Sequence, residues 1–128
     1  MSDLLSLLPP RSDTDLARQS IEKAPIAIFW VNFDGRFVYA NEAAQALTGY
    51  PLETLITLRT WDINRNRTPE NWRNFCEQLL NEGSIAYLTD VQTGQGTVLP
   101  VEVSARYCRC DGVEYAVSYL QDLSLIHI

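Results

Sequence analysis

The chain has one histidine, His127, which sits next to the end of the sequence. Nucleophilic catalysis of the Ser-His-Asp or Cys-His kind needs an imidazole held by its surroundings, so no such arrangement is visible here. Basic residues are also scarce: 10 Lys and Arg stand against 16 Asp and Glu, a formal charge of −6. Nucleic-acid binding needs clustered positive charge and is not expected. No stretch approaches the roughly 20 apolar residues that span a bilayer, so no membrane span is expected. Residues 1–10 carry Asp3 where a secretory signal needs positive charge, and their apolar run is interrupted. Cys76, Cys108 and Cys110 are an odd count without a disulfide framework, which fits a reducing, cytoplasmic setting. The glycine-containing stretch at residues 93–97 lacks the Lys-Ser/Thr and the helix of a phosphate-cradling loop. These absences together predict a chain that is not itself an enzyme.

What is present suffices for one domain, since 46% of the 128 residues are hydrophobic. Leu16, Ala17, Ser20, Ile21 and Ala24 recur at helical spacing behind the cap-forming residues 12–15, predicting an amphipathic helix that ends near Pro25. Residues 26–33 and 36–40 read as two strands joined by a two-residue Asp34-Gly35 turn. Asn41 stands at an N-cap, and Gly49 suits a left-handed helix exit. Residues 51–61 offer at most a turn or two of helix, and residues 62–67 read as polar connection. Thr68-Pro69-Glu70 then opens a helix whose Trp72, Phe75, Cys76, Leu79 and Leu80 form one apolar stripe. Three strands follow at residues 84–91, 98–109 and 113–121, the last two joined by Asp111-Gly112. This order needs no parallel crossover, so the expected class is α+β, an antiparallel sheet with helices gathered on one face.

In that order the residues resemble the PAS family over almost the whole span 21–124. The resemblance is carried by Ala24-Pro25, by residues 34–43 (DGRFVYANEA), by Leu47-Thr48-Gly49-Tyr50, and by Thr68-Pro69-Glu70-Asn71-Trp72. Gly83, residues 100–104 (PVEVS), Asp111-Gly112 and the terminal Asp122-Leu123-Ser124 complete it. One departure is the turn before the fourth strand, where many relatives carry Lys-Asp-Gly and this chain has residues 93–97 (TGQGT). The resemblance implies a PAS-like five-stranded antiparallel sheet cupping a pocket under helices, preceded by an N-terminal flanking helix. It divides the chain into a flanking segment (1–24), a sensory domain (25–122) and the start of a linker to an output domain (123–128).

Strand alternation then nominates residues for each face. Val101, Val103, Ala105 and Tyr107 share one face of the fourth strand and are expected inward. By analogy with flavin-binding relatives, Ala116, Ser118 and Leu120 turn inward with them, and Phe75 approaches from the helix. Such positions are as compatible with a filled core as with a ligand-holding pocket. The ligand is left unknown, but two cofactors are disfavoured. Histidine-ligated haem lacks its imidazole, and covalent photoactive flavin lacks a cysteine in a recognisable segment between Tyr50 and Arg67. Cys76, on the apolar stripe, is expected to be an inert hydrophobe, and Cys108 with Cys110 supplies half a metal site at best. Asn41 and Trp72 are assigned structural roles, as cap and core.

Tyr115, Val117 and Tyr119 are expected on the outer sheet face, where with Leu16 and Ile21 they would form a homodimer interface; Leu4, Leu5, Leu7 and Leu8 could add to it. Asp122 and Ser124 mark the signal exit, with Arg36 a candidate partner for Asp122. The functional expectation is a sensory module that binds a small molecule or a partner. It would regulate a linked output domain, such as a histidine kinase or diguanylate cyclase, through dimerisation. The alternative is a ligand-free dimerisation or protein-docking module.

Overall fold

The computed structural model describes residues 10–124. Leu4, Leu5, Leu7, Leu8 and His127 lie outside the described residues. Helix α1 (Pro10–Glu22) begins earlier than the acidic cap predicts, because proline has no N–H to satisfy and its φ suits a first helical turn. Strands β1 (Ala27–Asn32) and β2 (Phe37–Ala40) follow, then α2 (Glu42–Thr48) and two single-turn helices, α3 (Leu52–Leu55) and α4 (Thr60–Ile63). The long helix α5 (Pro69–Glu82) leads into β3 (Ser84–Gln92), β4 (Val98–Cys110) and β5 (Val113–Asp122).

The five strands form one antiparallel sheet in the order β2-β1-β5-β4-β3. The first and last strands in sequence are neighbours, with Phe29 opposite Ser118 and Val31 opposite Ala116. Their side chains, with Val101, Val103 and Ala105 of β4, point to the same buried face as Leu55, Trp72, Phe75 and Leu79 of the helices. The core is therefore one layer between the sheet and the helical side, as strand alternation and the α5 stripe require. No helix among the described residues is long and apolar enough to cross a membrane.

The β1–β2 connection differs from the expected two-residue turn. The side-chain oxygen of Asn32 accepts hydrogen bonds from the N–H groups of Asp34 and Arg36, each at 3.0 Å, and holds a three-residue loop. Only Gly35 in it has positive φ (84°), whereas the expected turn type needs positive φ at both central residues. A Cβ at Gly35 would stand 2.5 Å from the Trp61 ring, so α4 sits directly on the loop. By contrast Asp111 and Gly112 have φ of 53° and 79°, the two-residue turn expected there.

Asn41 is fully buried and does more than cap a helix. Its side-chain oxygen accepts from the N–H of Ala44 in α2 and from the N–H of Ile28 in β1, both at 3.0 Å. Its amide nitrogen donates to the carbonyls of Ile21 and Ile26. The same carboxamide thus fixes α1, β1 and α2 to one another.

Candidate functional site

Between sheet and helices lies a cavity of about 40 Å³. Its floor is the middle of the sheet: Phe29 and Val31 from β1, Val103 from β4, and Ser118 and Leu120 from β5. Trp72 and Phe75 of α5 close it from above, their rings stacked at 5.3 Å, and Trp72 is held by a 2.9 Å hydrogen bond from its indole N–H to the carbonyl of Phe33. The α5 stripe is set in this position by its N-terminus. Thr68 Oγ1 accepts from the Asn71 N–H and Asn71 Oδ1 accepts from the Thr68 N–H, a reciprocal pair that satisfies two otherwise free donors.

The polar residues of the cavity are Thr60 of α4, Asn64 and Arg67 between α4 and α5, Tyr87 of β3 and Ser118 of β5. The guanidinium of Arg67 donates from Nη1 to Asn71 Oδ1 at 3.1 Å and from Nη2 to the Tyr87 hydroxyl at 3.0 Å. It lies against three aromatic rings, 4.5 Å from the centre of Phe75, 5.4 Å from that of Tyr87 and 5.6 Å from that of Trp72. Asn64 Oδ1 accepts from the hydroxyl of Thr89 at 2.8 Å, joining this segment to β3. Among the described residues, the buried side-chain atoms Arg67 Nε and Thr60 Oγ1 make no hydrogen bond to protein, and both residues line the cavity.

Of the inward residues nominated from the sequence, Phe75, Val103, Ser118 and Leu120 line this cavity. Val101, Ala105 and Ala116 share its sheet face but are packed into the core around it. Tyr107 is half-buried under Phe33, with ring centres 5.9 Å apart, and its hydroxyl donates to Glu114 at 2.8 Å. That hydrogen bond holds its proton and raises its pKa. Thr60, Asn64, Arg67 and Tyr87 were not nominated. Residues 62–67 carry no apolar period, and only the folded chain shows that this polar stretch turns inward over the sheet.

The remaining nominated residues lie elsewhere. Tyr115, Val117 and Tyr119 are half-buried on the opposite sheet face from Ala116, Ser118 and Leu120. Leu16 is 68% exposed and Ile21 half-buried at the end of α1. Cys76 is buried, and that burial pushes its thiol up to about 11. Cys108 and Cys110 are exposed beside the β4–β5 turn. Among the described residues no three His, Cys, Asp or Glu side chains are grouped to hold a metal. The suggested Arg36 partner for Asp122 is not formed. Arg36 follows the β1–β2 loop, whereas Asp122 lies past the residue paired with Ala27, at the other end of β1. Asp122 Oδ1 instead accepts from the N–H and hydroxyl of Ser124, at 2.9 and 2.7 Å.

The family model described as PAS domain matches residues 25–124. No curated protein matches the sequence. Among solved structures the chain is similar to a PAS domain from a two-component sensor histidine kinase, at 18% identity and a TM-score of 0.78, covering 89% of this chain and 99% of that one. The PAS domain of an HTR-like protein from Haloarcula marismortui is 15% identical with a TM-score of 0.81, over 88% of this chain and 93% of its own. A third is the PAS domain, in complex with ethanol, of a LuxR-family transcriptional regulator from Burkholderia thailandensis. It is 17% identical with a TM-score of 0.66, over 84% of this chain and 96% of that one.

Proposed function

The chain belongs to the PAS domain family, and from that premise we propose that it is a sensory domain whose central cavity holds a small organic molecule and whose occupancy regulates a linked output domain. The observation that carries this reading is the cavity between sheet and helices, lined by Phe29, Val31, Val103 and Leu120 with Thr60, Asn64, Arg67, Tyr87 and Ser118 as its polar residues. An apolar space with a few convergent polar groups is how small-molecule sites are commonly built. The ethanol complex of the Burkholderia thailandensis regulator supports a ligand of a few atoms in a domain of this fold.

The cavity's size bears on the cofactor. A volume of about 40 Å³ accommodates about three water molecules, so neither haem nor an isoalloxazine fits without wide rearrangement. Phe75, Val103, Ser118 and Leu120 are the apolar and small contacts of the ligand. Val101, Ala105, Tyr107 and Ala116 support them from the same face.

The route outward runs along β5, whose Ser118 and Leu120 line the cavity and whose end is Asp122. The N–H of Leu123 donates to the carbonyl of Pro100, and Asp122 accepts from the Ser124 N–H two residues on, an Asx turn. A ligand that shifts β5 would move this exit and bias the output domain, a histidine kinase or diguanylate cyclase. The resemblance to the sensor histidine kinase domain favours the first.

Native mass spectrometry and a visible spectrum of the purified 128-residue chain test this reading. The expected result is a colourless protein that carries or takes up a small organic molecule, with backbone amide shifts at Val103 and Ser118. A Soret band, or a cavity that no small molecule perturbs, would overturn it, the latter in favour of a ligand-free docking module.

A further inference from the structure

The two edges of the sheet are protected unequally. β2 is four residues long, and the N–H of its first residue, Phe37, donates to the carbonyl of Leu58. β3 is nine residues long, and the segment after α4 covers only its later part. There the N–H of Arg65 donates to the Asp90 carbonyl at 2.9 Å, and Asn66 Nδ2 donates to Thr89 Oγ1 at the same distance. From Ser84 to Leu88 the edge has no such cover among the described residues. The ladder shows which backbone groups face outward. The Gly83 carbonyl accepts from the Tyr107 N–H, and the Thr93 N–H donates to the Thr97 carbonyl, so odd-numbered residues turn their N–H and C=O toward β4. Even-numbered residues turn theirs away, as the Asp90 carbonyl does. Ser84, Ala86 and Leu88 therefore present N–H and C=O groups at an open edge, and among the described residues none of these has a protein partner. All three residues are exposed, Leu88 at 71%, and residues 84–89 contain neither charge nor proline, the usual guards of such an edge.

Charge frames this stretch on the outer sheet face. Leu88 stands opposite Glu102 with Asp90 next to it on the same face, whereas Ser84 stands opposite Arg106. Among the described residues none of these three charged groups is in an ion pair. The rim is thus acidic at the Leu88 end and basic at the Ser84 end.

We infer that residues 84–88 bind an extended segment of a partner protein, added antiparallel to β3 as a sixth strand. Its basic side chain lies at the Leu88 end, a β-branched one beside Ala86 and an acidic one at the Ser84 end. The outward N–H and C=O groups require an extended backbone, because only a strand presents donors and acceptors at their spacing. The side chains follow from the rim: a Lys opposite Leu88 is diagonal to Asp90, a Glu opposite Ser84 reaches over that small residue toward Arg106, and Ala86 leaves room for a branched neighbour. A second copy of this chain fits less well. Its β3 laid over the whole open stretch, Ala86 on Ala86, would drive its own Arg65 and Asn66 against Gly83, which is still paired with Tyr107 in the first sheet. A separate strand carries no such cover.

The test is titration of the isotopically labelled 128-residue chain with the acetylated and amidated peptide Lys-Thr-Val-Thr-Glu and with its charge-reversed counterpart Glu-Thr-Val-Thr-Lys, followed by backbone amide shifts. The first peptide is expected to shift the amides of Ala86 and Leu88, to slow their hydrogen exchange, and to bind about threefold or more tightly than the second, the margin of two cross-strand charge pairs. Ala86→Pro removes an outward N–H that the β3–β4 ladder does not use, so it should abolish the shift at Leu88 while leaving the Val103 amide in place. Asp90→Asn combined with Arg106→Gln, both at exposed positions, should make the two peptides bind equally. If Ala86→Pro does not fold, this double variant and the ratio of the two peptides on the unmodified chain still decide. No shift at Ala86 and Leu88 with either peptide overturns the inference, as does equal or tighter binding of the charge-reversed peptide to the unmodified chain. Shifts at these two amides that grow with protein concentration alone overturn the partner strand in favour of a second copy.

Discussion

The amide nitrogen of Asn41 donates to the carbonyl of Ile21 at 2.9 Å, so the side chain that opens α2 also closes α1. The Ile21 carbonyl belongs to the last turn of a helix, where carbonyls lack intrahelical partners. Asn41 is fully buried, and all four of its side-chain hydrogen bonds are made inside the protein. Replacing it by alanine removes a cap worth about 1 kcal/mol and orphans the buried N–H of Ile28, for a total of about 2–4 kcal/mol. Urea denaturation of Asn41→Ala should show this loss. Asn41→Asp keeps both acceptor bonds but turns a carboxylate oxygen toward the carbonyls of Ile21 and Ile26. Hydrogen exchange should then show α1 opening ahead of the rest of the domain.

The three cysteines should react in an order set by burial. Cys76 is 8% exposed between Trp72 and Leu79, and its thiol is pushed up to about 11 by that burial, only partly offset by the nearby Arg67 charge. Thiolate is the reacting species, so little of it is present at neutral pH. Cys108 and Cys110 are exposed. A water-soluble thiol reagent at pH about 8 should label both of these promptly and Cys76 only at the rate of opening, as peptide mapping would reveal. Fast labelling of Cys76 would mean that α5 is not seated on the sheet.

Stability should fall on the alkaline side, through acids whose pKa values rise on folding, Cys76 and Tyr39 foremost among them. Burial pushes Cys76 up to about 11. Burial and the hydrogen bond from its hydroxyl to Glu22 push Tyr39 up to about 12. In the unfolded chain these groups ionise near their ordinary values, about 8.5 and 10. Above those values the unfolded state releases protons that the folded state still holds, so stability declines with rising pH until the folded values are passed. Denaturation midpoints should therefore be flat from pH about 6 to 8 and drop from about 9 to 12. Cys76→Ala should flatten the lower part of that drop and Tyr39→Phe the upper part. A midpoint that rises over this window would contradict both assignments.

The elements with strong local chemistry were legible in the sequence. The Thr68-Pro69-Glu70 start and apolar stripe of α5, the Asp111-Gly112 turn, and the alternation of β4 and β5 all stand where their residues place them. Each is decided by neighbours in sequence. The cavity's polar edge was not legible, because Arg67 becomes a cavity residue only through Asn71 four residues on and Tyr87 twenty residues on. The β1–β2 loop misled for a related reason: Asp34-Gly35 favours a two-residue turn, but the Asn32 side chain captures the loop's N–H groups first. The reach of Asn41 back to Ile21 was equally invisible, since a cap is read forward from its own helix.

The last prediction concerns the outer face of the sheet. Trp30 packs on Tyr39 there with ring centres 4.7 Å apart, and the cross-strand pairs Trp30 with Val117 and Ile28 with Tyr119 extend the apolar surface across β1 and β5. Val38 is exposed beside them, and in α1 the side chains from Thr14 to Ser20 are exposed, Leu16 at 68%. Helix α1 is held by its last turn, through Ile21 and Glu22, rather than laid across the sheet. A half-buried apolar strand pair and an exposed amphipathic helix in one molecule are what a second copy would cover, with Leu16 and Ile21 meeting Tyr115, Val117 and Tyr119. Two β5 strands brought together in this way would release their Asp122-Leu123-Ser124 exits close to each other, the arrangement a dimeric output domain needs. Light scattering should give twice the 14.5 kDa chain mass for the unmodified protein. Tyr119→Glu, which places a charge in the centre of the face, should give the monomer with its far-ultraviolet circular dichroism unchanged. A monomeric mass at high concentration that Tyr119→Glu does not alter would leave the outer face without a partner copy, and the output would then have to be moved by β5 alone.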